Sequence, residues 1–162
     1  MYFFSYLKFL FSATNQHGVH SPFVYALVTK GLYSSKKYTT KKSLSTLLNV
    51  ITYFKIDAVN ITKEDKEVGE SILKTFPKIE VNKTTQEFFY FNSVNEARLS
   101  RFINDNQFQN TSIVFVDAIY KDQKSWNNLI KSDKITVSIN FFYGGLLFFR
   151  KEQEKEDFKI RI

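Results

Sequence analysis

Residues 112–116, Ser-Ile-Val-Phe-Val, set four large apolar side chains in a row. A strand turns alternate side chains to opposite faces, so a run with no polar break must be covered on both. This rules out a sheet with one wet face here and calls for helices on either side. Residues 57–162 supply them. Residues 58–62, 78–82 and 88–91 read as short strands, while residues 63–76, 95–104 and 122–130 carry apolar side chains at helical spacing. Strands alternating with helices predict an α/β domain with a mostly parallel sheet. Residues 135–141 and 144–150 are joined too tightly for a helix and predict a closing C-terminal antiparallel hairpin. The charged tail, residues 151–162, is expected at the surface.

The first 56 residues read differently, as N-terminal helices. Phe3, Phe4, Leu7, Leu10 and Phe11 follow helical spacing. The stretch is shorter than the ~20 residues of a membrane span. Lys8 interrupts it and no basic segment precedes it, unlike a signal peptide. The expectation is a short amphipathic helix packed on the domain or on a second subunit. A membrane-surface helix is the weaker reading, because the neighbouring sequence lacks strong basic flanks. Residues 15–21 read as a turn, with Gly18 supplying backbone freedom. Ser21 and Pro22 predict a helix start, and Gly31 its stop. A polar loop over residues 34–42 leads into a third helix at about residues 42–54. The division is then 1–56, helical and basic, and 57–162, α/β, forming one compact unit.

Charge follows the same division. Residues 1–56 contain seven lysines and no acidic residue, whereas residues 57–162 hold 16 basic and 16 acidic ones. An acidic partner of the basic third is therefore physically plausible, against the plainer reading of a solvated lysine surface. That third has no arginine, the side chain suited to forked phosphate contacts. The 18 phenylalanines predict an aromatic-rich core, and Trp126 is expected to pack. With no cysteine, disulfides and thiolate metal sites are excluded, and a cytoplasmic location fits. The two histidines, His17 and His20, are too few for a metal cage without several carboxylates.

Three stretches share one likeness. SATNQHGVHSPFVYALVTK (residues 12–30), SIVFVDAIY (residues 112–120) and KITVSINFFYGGLLFFRKEQEKEDFKIRI (residues 134–162) together resemble, in family order, a bacterial group of class I S-adenosylmethionine-dependent methyltransferases. The resemblance implies a Rossmann-like, methyltransferase-type sheet with the cofactor at the carboxyl ends of the strands. It implies a first strand followed by E-x-G-x-x-x-G, because backbone must lie against the ligand. Here the acidic position falls on Ile61 and the glycines on Lys63 and Glu67, while Gly69 comes too late. Near the second strand, where the family carries a ribose-binding acid, Glu80 lies inside the strand and Lys83 stands nearer the expected place. Asn92 replaces the Asp of the fourth strand, and of a later Asp pair Asp117 remains beside Ala118. Residues 84–87 leave no room for the helix and strand that normally precede the fourth strand.

The expectation is thus a degenerate homologue, catalytically inactive, serving as a binding or structural subunit beside a second copy or an intact methyltransferase relative. No cofactor is expected, or S-adenosylmethionine if the site is retained. Alternatives are an active methyltransferase with an atypical cofactor site and a small anion- or RNA-binding domain. Asp117 is the vestigial catalytic candidate, and Asn60, Thr62, Asn92 and Asp117 are the vestigial cofactor contacts. His17, His20 and Tyr120 are further candidates, though the histidine turn has a plainer role in bracing the N-terminal helices. No metal site is expected.

Overall fold

The computed structural model describes residues 2–34, 36–82 and 87–162. Helix α1 spans Tyr2–Ser12 and α2 spans Pro22–Leu27, continued by a π-helical turn at Val28–Leu32; α3 spans Lys42–Phe54. Strand β1 (Ala58–Val59) leads through a 3-10 turn at Lys63–Asp65 into α4 (Lys66–Thr75), followed by β2 (Glu80–Val81) and β3 (Phe88–Phe91). The chain continues with α5 (Glu96–Asp105), β4 (Ile113–Asp117), a 3-10 turn at Ile119–Lys121, α6 (Gln123–Leu129), β5 (Val137–Asn140), β6 (Gly144–Phe148) and β7 (Glu156–Lys159).

β1 and β2 form a parallel pair, and β3-β4-β6-β5-β7 a five-stranded sheet in which only β6 runs backwards. A single bridge joins the two: Asn60 N–H donates to the Phe88 carbonyl and Tyr90 N–H to the Asn60 carbonyl, both at 2.8 Å. Read across that bridge, the strand order is β2-β1-β3-β4-β6-β5-β7. The fold is mixed α/β, and the expected hairpin is β5–β6. The tail differs from expectation. It adds β7 at the edge, with Ile160 fully buried, because alternation along EDFKI turns Phe158 and Ile160 inward.

β4 sorts its side chains as its sequence requires. Ile113 and Phe115 join a cluster with Leu27, Leu47, Ile51 and Ile72 from α2–α4; Val114 and Val116 face Leu99, Ile103 and Trp126 from α5 and α6. The result is a sheet between two helical layers. Each fully buried side chain of this size contributes ~1.5–3 kcal/mol. The larger cluster takes residues from both the first 56 and the last 106 positions, so the basic helices are part of one core.

Local signals work as read at helix starts. The Ser21 hydroxyl accepts from Val24 N–H, and Asn95 from Arg98 N–H. The glycines act differently from expectation. None has positive φ. A Cβ on Gly18 would lie 2.0 Å from Thr14 Oγ1, and one on Gly31, inside the π turn, 3.1 Å from Tyr53 Cγ. Close packing, rather than backbone freedom or a helix stop, explains both. Trp126, 1% exposed, lies over Gly145, as its packing role required.

Helix α1 sits at the carboxyl end of the parallel strands. Its Tyr6 and Phe9 rings meet Phe142 at 4.9 and 5.3 Å, in the β5–β6 turn. Among the described residues no helix is long and apolar enough to cross a membrane.

Candidate functional site

The carboxyl ends of β1, β3 and β4 gather the chain's most organised polar groups. Asp117 closes β4. Its Oδ1 accepts from the Ser43 hydroxyl (2.5 Å) and from Ala118 N–H (2.6 Å), and its Oδ2 accepts from the Tyr90 hydroxyl (3.0 Å). Ala118 then turns the chain in the left-handed region at φ 50°. Tyr90 is nearly buried on β3, and burial pushes its phenol well above the usual range. The Asp117 charge, the bond to it and the nearby Asp65 act in the same direction. Tyr90 therefore stays a neutral donor between two carboxylates.

The second carboxylate, Asp65, is 5% exposed. It accepts from the Thr62 hydroxyl (2.5 Å) and from the Asn92 side-chain amide (2.7 Å). A buried carboxylate without such donors is costly, so these bonds account for its position. They also occupy Thr62 and Asn92, two of the four side chains that the resemblance marked as cofactor contacts. Asn60 donates to the Phe88 carbonyl at 3.2 Å and braces β1 against β3.

The remaining candidates lie apart. Tyr120 stacks on Phe142 at 5.5 Å and belongs to the aromatic seat of α1. His17 and His20 are exposed, in and beside the turn after α1 that is tied to the β7 edge through Thr14 and Ile160. Three strand steps, ~14 Å, separate that edge from Asp117. Lys83 and Thr84 lie outside the described residues. Among the described residues no group of three or more His, Cys, Asp or Glu is gathered to hold a metal ion.

Sequence reasoning missed Asp65, Tyr90 and Ser43. Asp65 is hidden in the charged run TKEDKE, where nothing distinguishes a buried acid from a solvated one. Tyr90 sits in an aromatic run whose only hint is a polar tip.

Three openings border these elements. A cleft of about 150 Å³ between α3, α4, β3 and β4 reaches Ser43, Leu47, Val68, Tyr90 and Asp117. A shallow groove of about 510 Å³ on the α5 side holds Asn60 and Thr62 beside Phe91, Arg98, Arg101 and Asp105. A third, of about 690 Å³, is lined by Lys36, Lys37 and Lys42 with Thr39, Thr46 and Asn49.

Comparison with known proteins finds no matching family model, no similar curated protein and no similar solved structure.

Proposed function

We propose that the chain is a degenerate homologue of class I S-adenosylmethionine-dependent methyltransferases, acting as a binding or structural subunit rather than as an enzyme. The observation that carries this reading is the bonding of Thr62, Asp65 and Asn92 to one another at the carboxyl ends of β1 and β3. There the resemblance would seat the cofactor against glycine backbone. Instead the 3-10 turn Lys63–Asp65 begins three residues past β1 with no glycine between, and Gly69 is inside α4 against Ile61.

The volumes support the same reading. Ligand sites occupy ~300–1,000 Å³, and the cleft at Asp117 is half the lower bound. The groove at Asn60 is large enough but open, and its two arginines outnumber its one acid, Asp105, a balance that disfavours a cationic sulfonium centre. Kinship is supported by the strand order, since a reversed strand within the last parallel strands sets methyltransferase-type sheets apart from dinucleotide-binding ones. Only residues 82–87 separate β2 from β3, consistent with the shortening inferred from the sequence.

Calorimetric titration with S-adenosylmethionine tests the reading, with no saturable heat expected. Micromolar binding would overturn it in favour of an enzyme with an atypical site. Light scattering after size exclusion tests the subunit role, and a monomer at every concentration counts against it.

The lysine-lined groove favours a second reading, a small anion- or RNA-binding domain. Among the described residues no acidic side chain lines it, and it is the largest of the three openings. Affinity for single-stranded RNA that falls steeply with salt would support this reading; no binding at low salt would remove it.

A further inference from the structure

We infer that the outer face of α1 docks on an anionic lipid surface. The helix is two-sided in the structure. Tyr6 and Phe9 are seated on Phe142 and Tyr143, whereas Phe3, Phe4 and Phe11 are 65%, 76% and 90% exposed. At about 200 Å² per phenylalanine these three leave roughly 450 Å² of aromatic surface in water. That lies within the ~300–600 Å² of the largest apolar patch on an ordinary monomer, a patch that often has a function.

Area argues against a second copy as the occupant. A stable interface buries ~800 Å² per partner, and this face offers little more than half of that. Charge argues for lipid. On the exposed face Lys8 stands four residues after Phe4 and three before Phe11, and further cations lie beside the seated face and past the far end of the helix. Lys42 Nζ lies 5.2 Å from the ring centre of Tyr143, which itself packs on Tyr6. The backbones of Lys159 and Arg161 bond Thr14, two residues past the end of α1. No acidic residue occurs anywhere in residues 1–56. Exposed aromatics flanked by cations are the two components of peripheral binding: ring insertion below the headgroups and attraction to anionic ones. The inference does not depend on the fate of the cofactor site.

Co-sedimentation of the full chain with phosphatidylcholine vesicles, with and without phosphatidylglycerol, tests it. Binding is expected only to the phosphatidylglycerol vesicles, weakening as salt rises. Phe4→Ser and Phe11→Ser, both at exposed positions, are each expected to weaken it about tenfold or more. Lys8→Glu is expected to weaken it about fivefold or more. Circular dichroism of each variant should match the parent, which separates loss of docking from loss of folding. Three results would overturn the inference: no vesicle binding, equal binding to neutral vesicles, or a dimer in light scattering that Phe11→Ser converts to monomer. The last would assign the face to a second copy.

Discussion

Lys55 and Phe142 are two of four non-glycine residues with positive φ, a region most side chains disfavour; the others are Asn82 and Ala118. Lys55, the C-cap of α3, has φ 54°, where glycine is the usual occupant. Lys55→Gly is expected to raise stability by up to ~1 kcal/mol, read as a higher urea midpoint with unchanged slope. Phe142 has φ 71° and is 1% exposed. Its N–H donates to Asn140 Oδ1 at 2.8 Å, and the rings of Tyr6, Phe9 and Tyr120 surround it. Burial of the ring offsets the strained turn, so Phe142→Ala is expected to cost ~3–4 kcal/mol in denaturant unfolding. Tyr90 adds a pH dependence. Its folded pKa lies above the unfolded value of about 10, so its contribution is complete below that pH and is lost as pH climbs towards the folded value. Tyr90→Phe should be less stable than the parent by ~1 kcal/mol at neutral pH, and the difference should shrink above about pH 10. A difference that stays constant from neutral to strongly alkaline pH would show that the phenol is not held neutral by its surroundings.

Between elements, two lysines do what the sequence concealed. Lys134 Nζ donates to the carbonyls of Ile103, Asn104 and Asn106 at the end of α5, and Lys155 Nζ to those of Ile130, Ser132 and Ile135 after α6. A cation at a helix carboxyl terminus satisfies carbonyls that have no partner within the helix. Lys155→Met is expected to cost about 1 kcal/mol despite its surface position, measurable as a lowered thermal midpoint. Helix positions were legible because apolar spacing and caps such as Ser21 and Asn95 are local. α3 coincides with its expected limits, and the apolar run of β4 announced its two covered faces. β1 was not legible at its true length. Its ladder ends at Asn60 because the Thr62–Asp65 bond turns the chain away, and that bond depends on burial set by distant elements. The strand at residues 156–159 was hidden for a similar reason, since an alternating charged tail becomes a strand only beside an available edge.

For the molecule as a whole, the basic third is inseparable from the sheet. Val24, Leu27, Leu47 and Ile51 share one buried cluster with Phe88, Phe115 and Phe148. A chain lacking residues 1–56 is therefore expected to lose cooperative unfolding, seen as a broad thermal transition with dye-accessible apolar surface. The aromatic content reads the same way at this scale: most rings lie in or against the core, and the sequence could not single out the exposed ones, Phe3, Phe4 and Phe11 of α1 and Tyr25 of α2.

Among the described residues, the reversed β6 is the strand that joins β4 to β5. During synthesis β5 emerges before β6 and β7, the two strands it pairs with, so β4 keeps a naked margin and β5 stands alone until the rest of the chain follows. A released chain that ends near residue 143 would carry β3–β4 with an open edge and β5 with no strand beside it. The reversed strand is thus a late keystone, and slow insertion of it leaves the edge of β4 open to pairing with another chain.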